Sequence, residues 1–395
     1  MVAAHIENRD AGHWMTDGEL KRMTKGGQFS LHANSVQALA EKLIANVRTT
    51  FSNIKREKEA GLPVTSKFPH RIKDFQNVVW KGCGSPALKI DGRRLSLSNG
   101  RGNDPLILTL PSIHSESDIA QAELDWQADH YVLLLTIDTG ETNPPLLEGK
   151  RTAGCDLGEI NIAAVVTEEG EGIVISGRHL RSVKQLRNKR HSDLDRLLQR
   201  CKKGSKRHRK LMAAKNRASS KAERQQRDIL HRASRKVVDF CEKEKIATIA
   251  VGDVRDIADG VNKGKKTNQK ISQWTHGLFT TYLKQKSRVF GINVRLIDEA
   301  YSTRTCSHCG NVRTSSPKGR IFICPSCGVR MDRDGNGAAN ICSKHRFGEF
   351  GSVQPGSLSH IKPIIVGHRS IYEGLVPSSR AADVSRGEIP VASVV

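Results

Sequence analysis

From Ser35 onward the apolar positions Val36, Leu39, Leu43, Val47, Phe51 and Ile54 recur at steps of three and four residues. That spacing lines one face of a helix, and Asn34 or Ser35 stands where a short polar side chain caps the first turn. Gly61, Pro63 and Pro69 then end the helical run. Ahead of it, residues 1–30 are polar and show no clear periodicity. Behind it, residues 78–137 change to β patterning. Leu88-Lys89-Ile90 and Leu95-Ser96-Leu97 alternate around Asp91-Gly92, a pair suited to a tight hairpin turn. Leu106–Leu110 and Tyr131–Ile137 predict further strands, and Pro144-Pro145 marks a linker that puts a boundary near residue 147.

Past that linker the rhythm changes again. Ala153–Gly158, Ile160–Val166 and Gly172–Ser176 predict three strands joined by tight turns. A long basic helical region follows from about residue 181 to 244, then a short apolar strand, Ile246–Val251. A helix over Ile271–Phe290 and a strand over Ile292–Ile297 complete the series. Three strands, then helix, strand, helix, strand is the element order of an RNase H-like α/β fold. The last 50 residues, rich in Ser, Gly and Pro, predict a flexible tail, and no internal repeat is visible.

Charge adds the first functional information. The chain of 395 residues carries 64 Lys and Arg against 41 Asp and Glu, a formal net charge of +23. A well-solvated surface mixes signs and stays in single digits, so a surplus this large implies a polyanionic partner. Between Arg181 and Lys236 stand 21 Lys and Arg against 4 Asp and Glu, a surplus of 17. Most of the net charge therefore lies in one helical region, where Ile229, Leu230, Ala233, Val237 and Phe240 keep one face for packing. No apolar run approaches the length of a bilayer span, and no signal-peptide core is present. That sets aside membrane partners and predicts a cytoplasmic protein.

Cysteines agree with a reducing compartment, since nine is an odd number and only four are paired in spacing. Cys306-Ser307-His308-Cys309 and Cys324-Pro325-Ser326-Cys327 lie fourteen residues apart. Each Cys-x-x-Cys can fold into a knuckle that points two thiolates at one centre, and Gly310 and Gly328 allow the sharp turn after each. Cys306, Cys309, Cys324 and Cys327 therefore predict a zinc ribbon over residues 302–331, with His308 a bystander. Four protein ligands leave no open position, so this Zn²⁺ is structural.

Two acidic residues occupy suggestive places. Asp156 sits in an apolar strand between Gly154 and Gly158, and Asp334 lies in Asp332-Arg333-Asp334-Gly335-Asn336-Gly337-Ala338-Ala339-Asn340-Ile341, just before a helical run. Taken singly, the first reads as a turn-former and the second as a helix N-cap. Taken together, with the ribbon between strand and helix, they resemble the TnpB family, transposon-encoded RNA-guided nucleases related to compact type V CRISPR effectors. Gly154-Cys155-Asp156-Leu157-Gly158 is similar to the first nuclease motif, Tyr301–Gly310 to the start of the ribbon, and Asp332–Ile341 to the third motif. Leu194–Ser234 resembles the helical insert, and Lys67-Phe68-Pro69-His70-Arg71 the end of the recognition region. The likeness runs from about residue 67 to 343. Two departures stand out: residues 1–30 lack the strand with which the family usually begins, and Gly252-Asp253 stands where its second motif has Glu-Asp.

The resemblance implies a RuvC-like (RNase H fold) nuclease domain over 148–343, with the basic insert at 181–244 and the ribbon at 302–331. Before it would come a polar segment 1–30, a helical recognition region 31–75 and a β-rich, barrel-like wedge domain 76–147, an α+β arrangement; after it, a flexible tail 344–395. It also implies a DNA endonuclease guided by RNA, with carboxylates holding two Mg²⁺ ions roughly 4 Å apart. Asp156 and Asp334 are the expected ligands, with Asp332 an alternative for the latter. For the missing glutamate the sequence offers Asp253, adjacent to Gly252, or Glu299, at the end of the neighbouring parallel strand. Lys202, Lys203, Lys206, Arg207, Arg209 and Lys210 would hold the guide RNA and the double-stranded target DNA through their phosphates. A nuclease-inactive, RNA-guided DNA-binding repressor of the same fold is the rival expectation, supported by the lost glutamate. A transposase that needs no RNA has only the general basicity in its favour.

Overall fold

The protein is described here from a computed structural model, covering residues 2–27, 29–70, 77–82, 87–110, 119–128, 130–138, 140–147, 149, 151–255, 264–315, 317 and 319–361. It divides into two compact units, residues 1–141 and 142–395.

The first unit opens with helices where no periodicity was visible: α1 (Val2–Asp10) and α2 (Asp17–Met23). Helix α2 is set by a capping box, in which Thr16 accepts from the Glu19 amide and the Glu19 carboxylate accepts from the Thr16 amide. The predicted long helix is α3 (Ala33–Glu59), whose Ala40, Leu43 and Ile44 bury against Leu20. Its N-cap is His32, through Nδ1, rather than Asn34 or Ser35. Six strands follow: β1 (Val78–Lys81), β2 (Leu88–Asp91), β3 (Arg94–Leu97), β4 (Leu106–Thr109), β5 (Ile119–Gln127) and β6 (His130–Ile137). They form two antiparallel sheets, β1-β5-β6 and β2-β3-β4. Asp91 pairs with Arg94 across the expected hairpin. Trp80, Leu88, Leu95, Leu97 and Ile119 from both sheets share one apolar cluster.

The second unit is built on a six-stranded sheet of order β11-β10-β7-β8-β9-β14. Strands β7 (Thr152–Leu157), β8 (Asn161–Thr167) and β9 (Gly172–Ser176) form an antiparallel meander. Strand β10 (Thr248–Gly252) runs parallel to β7, β11 (Asn293–Ile297) parallel to β10, and β14 (Leu358–Ile361) parallel to β9. Both faces are covered, so these strands read as continuous apolar runs. Alternate residues serve opposite faces. Ala163 and Val165 join the cluster of α5 (Lys206–Lys243) and α7 (His276–Val289), which Ile229, Leu230, Val237 and Phe279 fill. Ala164 and Val166 instead meet Ala338, Ala339 and Cys342 of α8 (Arg333–Phe347). Gly154 permits that approach, because a Cβ there would lie 2.9 Å from Cys342 Cβ.

Several sequence expectations change in detail. The basic region is a helical hairpin, α4 (Arg178–Gln199) and α5, broken at Gly204 with φ near +80° and restarted by Ser205, which caps the His208 amide at 3.2 Å. The helix expected over 271–290 is two, α6 (Lys265–Ser272) and α7. The ribbon adds β12 (Ile321–Ile323) and β13 (Arg330–Asp332). Residues 344–361, expected to begin a flexible tail, instead complete α8 and supply β14, whose backbone hydrogen bonds close the sheet edge at β9. The rest of the expected tail, 362–395, lies outside the described residues.

Candidate functional site

The parallel strands β7, β10 and β11 end on one edge of the sheet. Cys155 pairs with Val251 and Gly252 with Ile297, so Asp156 and Gly252 stand side by side, and Glu299 follows β11 by two residues. Glu299 turns back over β10. A Cβ built on Gly252 would run into its Oε2 and lie 3.1 Å from its Cβ. The loop that carries Glu299 is pinned by Lys344 Nζ, which donates to Asp298 Oδ2 at 2.8 Å and to the Asp298 carbonyl at 2.9 Å. From the other side, a Cβ on Gly337 of α8 would come within 2.7 Å of Asp156 Oδ2. Small residues thus make room for both carboxylates.

The electrostatics follow from this crowding. Burial pushes the Asp156 carboxyl well above the usual range, and the charges of Glu299 and Asp334 push it further, with Arg333 opposing. Glu299 is pushed up to about 7 by burial, then by Asp253 and Asp298. Its Oε2 is buried without a hydrogen-bond partner. Asp334 is treated differently. Its side chain accepts from Asn161 Nδ2 at 2.6 Å, Arg320 Nη1 at 2.5 Å and the Arg333 guanidinium at 3.1–3.2 Å. Asp332, not Asp334, is the N-cap of α8, its Oδ1 accepting from the amides of Asp334 and Gly335 at 2.9 Å. Asp253 is held by Arg255, which keeps its carboxyl below the usual range.

The donor chemistry fits a divalent cation. Oxygen-only ligands, two carboxyls crowded into reluctance to ionise, and a buried oxygen with nothing to accept are what such an ion would relieve. Asp156 and Glu299 could hold it directly, whereas Asp334 would first exchange its arginine partners. Among the described residues the four cysteines alone bring three or more ligand atoms within 4.8 Å of one another, so the carboxylates converge less tightly than the thiols.

The cysteine centre is compact. Cys306 and Cys327 Sγ are 3.8 Å apart, and Cys309 and Cys324 Sγ 3.6 Å. A tetrahedron with metal–sulfur bonds near 2.3 Å has edges of about 3.8 Å, so the four thiols fit Zn²⁺. Phe322 is fully buried behind them. The ribbon is tied to α8 by two asparagines that the sequence did not single out. Asn336 accepts from the Ser307 amide at 2.9 Å and donates to the Thr305 carbonyl at 2.8 Å. Asn340 donates to the Ser302 and Thr305 carbonyls at 2.8 Å. Their i, i+4 spacing, inside the run that resembles the third nuclease motif, was the available signal.

Lys202, Lys203, Lys206, Arg207, Arg209 and Lys210 all lie exposed around the tip of the α4–α5 hairpin. Elsewhere on the hairpin, Lys215 pairs with Asp195 at 2.6 Å and Arg235 with Asp239 at 2.6 Å. Among the described residues no helix is long and apolar enough to cross a membrane.

Comparison with known proteins gives this geometry its context. Residues 135–258 match the OrfB_IS605 family, described as "Probable transposase", and residues 276–341 match the family described as "Cas12f1-like, TNB domain". A CRISPR-associated endodeoxyribonuclease Cas12f1 from Sulfoacidibacillus thermotolerans is 34% identical over 112 residues, 28% of this chain and 25% of that protein. A TnpB-like protein of Acanthamoeba polyphaga mimivirus is 28% identical over 137 residues, 35% of this chain and 26% of that protein. The matches thus span about a quarter of those relatives' length. Among solved structures, a Cas12f1–sgRNA–target DNA complex superposes with a TM-score of 0.52 at 16% identity, covering 85% of this chain and 75% of that one. That likeness shows a shared α/β fold. The chain is accordingly similar to TnpB-like and Cas12f1 proteins, with a stretch that matches a probable-transposase family followed by one that matches a Cas12f1-like TNB domain.

Proposed function

We propose that this chain is an RNA-guided DNA endonuclease whose RNase H-like sheet carries its metal-binding carboxylates at the ends of β7 and β11, with a third at the start of α8. The single observation that carries this reading is Glu299. Its unpartnered, buried oxygen lies over Gly252, beside Asp156, where the family's second-motif glutamate would stand. Asp156 and Glu299 would hold a divalent cation directly, and Asp334 could join them only on exchanging Arg320 and Arg333. When bound, divalent cations supply an activated water for in-line attack and stabilise the leaving 3′ oxygen. Arg320 and Arg333, once free of Asp334, remain beside the site as counter-charges for a phosphate. The basic tip of the α4–α5 hairpin holds the guide RNA–target duplex by its phosphates, and base pairing reads the sequence. The cysteine centre holds structural zinc and fixes the loop that leads from β11 into the ribbon.

The test is to purify the chain with its co-bound RNA, sequence that RNA, and incubate the complex with matched duplex and Mg²⁺. Cleavage of matched DNA alone supports the reading, and absence of bound RNA refutes it. One observation favours a second reading: Asp334 is satisfied by two arginines and an asparagine. Guided binding without cleavage would make the chain a DNA-binding repressor on this fold.

A further inference from the structure

Beside the carboxylates, α4, α7 and the β7–β8 turn border a narrow cleft, open at its mouth and with room inside for about one water, lined by Leu157, Gly158, Glu159, Lys184, Thr275 and His276 among others. Three separate features of this cleft call for an anion. Lys184 is only 8% exposed, and among the described residues no carboxylate lies within ion-pair distance of it. Glu159, whose charge it feels, is paired with Arg181 at 3.2 Å instead. Burial accordingly pulls the Lys184 ammonium down to about 8. His276 adds a buried Nδ1 without a hydrogen-bond partner. Finally, α7 starts at His276 with Thr275 as N-cap, and Thr275 makes no side-chain cap bond. The first-turn amides and the positive end of the helix dipole therefore face this corner without a resident acceptor.

Lys184 has its stem buried and its head at the cleft with, among the described residues, no carboxylate beside it, an arrangement that partial desolvation disfavours. A donor set of one ammonium, one imidazole nitrogen and helix amides matches a tetrahedral oxyanion. Its position says which one. Gly158 is two residues from Asp156, a span of about 7 Å at most, comparable to the spacing of successive phosphates on one strand.

We propose that the mouth of this cleft is a subsite for a backbone phosphate of the DNA strand being cut, next to the phosphate that reaches Asp156. This rests on the nuclease reading for the identity of the strand, though not for the existence of the anion site. The bound phosphate supplies the counter-charge that Lys184 lacks, and it holds the strand in line with the carboxylates.

The experiment uses the full chain with its co-purified RNA. Unfolding is followed in inorganic phosphate and in chloride at equal ionic strength, for wild type, Lys184→Met and Lys184→Arg. In chloride, Lys184→Met is expected to unfold at a higher temperature than wild type, because it removes an uncompensated buried charge. Phosphate should raise the melting temperature of wild type and Lys184→Arg more than that of Lys184→Met. Binding of a short single-stranded DNA should weaken about tenfold in Lys184→Met, with its log–log salt slope smaller by about 0.7. Should Lys184→Met not fold, His276→Ala serves the same comparison, with a reduced phosphate shift expected. Equal phosphate shifts in variant and wild type would overturn the anion site. Loss of the co-purified RNA in Lys184→Met, with DNA binding intact, would overturn the strand assignment. None of these readouts needs cleavage, so a chain that binds but never cuts would lose the nuclease reading while keeping the subsite.

Discussion

The carboxylate of Glu299 fills the space that a side chain at Gly252 would occupy. The two positions are therefore exclusive: residue 252 can bear a side chain, or Glu299 can lie over β10, but not both. Glu299→Gln is expected to lower cleavage by about 10²-fold or more, the several kcal/mol of a lost metal carboxylate, with guided DNA binding unchanged. Gly252→Ala should impair cleavage by displacing Glu299. The double change Gly252→Glu with Glu299→Gly should recover activity that either change alone loses. Full-rate cutting by Glu299→Gln would end the assignment.

Acidity should govern metal-free stability in an unusual direction. Glu299 is held at about 7 against an ordinary 4.5, and Asp156 is shifted the same way. The folded state thus binds protons more tightly than the unfolded chain. That contribution is fully present below about 4.5 and is lost as pH rises toward 7, on the order of 1–2 kcal/mol for partly solvated Glu299. Thermal unfolding without divalent ions should show the melting temperature falling across this range and a flatter profile for Glu299→Gln. Added Mg²⁺ should restore stability mainly at the upper end, where the carboxyls are ionised.

Zinc should be present at one ion per chain, and Cys324→Ser should remove it, as elemental analysis would read. Because ligand binding and folding are coupled in such small modules, the damage should spread along the asparagine links to α8. Asn336→Ala offers a milder test. It leaves the Ser307 amide unpaired and removes one of the two donors to the Thr305 carbonyl, at a cost of about 1–3 kcal/mol in unfolding free energy, while zinc content stays full.

Replacing Lys202, Lys203, Lys206 and Arg207 together with alanine should weaken nucleic-acid binding and lower its log–log salt slope by up to about 0.9 per lost phosphate contact. Exposure at the hairpin tip makes this substitution harmless to folding, so the melting temperature should not move. A salt slope equal to that of wild type would reduce the hairpin tip to a solvated surface.

Local patterns were legible where spacing itself constrains chemistry. The paired Cys-x-x-Cys motifs named four thiols that do converge, because two knuckles a short loop apart leave little freedom. Apolar runs over residues 153–158 and 246–251 marked central strands, found at Thr152–Leu157 and Thr248–Gly252, since a strand buried on both faces has few polar positions. Residues 1–30 hid α1 and α2, because short helices held by caps and a few contacts show little periodicity. The edge strand β14 was equally hidden, four residues in a stretch rich in Ser, Gly and Pro.

The sequence by itself determined the charge, the cysteine centre, the strand-and-helix order and the family likeness, all properties of residue type and spacing along the chain. It could name Glu299 and Asp253 as candidates but not choose between their surroundings. Tertiary structure decided those: Arg255 engages Asp253, while Glu299 folds back over a glycine 47 positions earlier, with one oxygen left unpaired. It likewise decided that Asp332 caps α8 while Asp334 is held by Arg320, Arg333 and Asn161. The physical reason is that a carboxylate's role depends on which donors and charges meet it through space. Parallel pairing of β7, β10 and β11 brings together residues from distant parts of the chain, and no local pattern records that meeting.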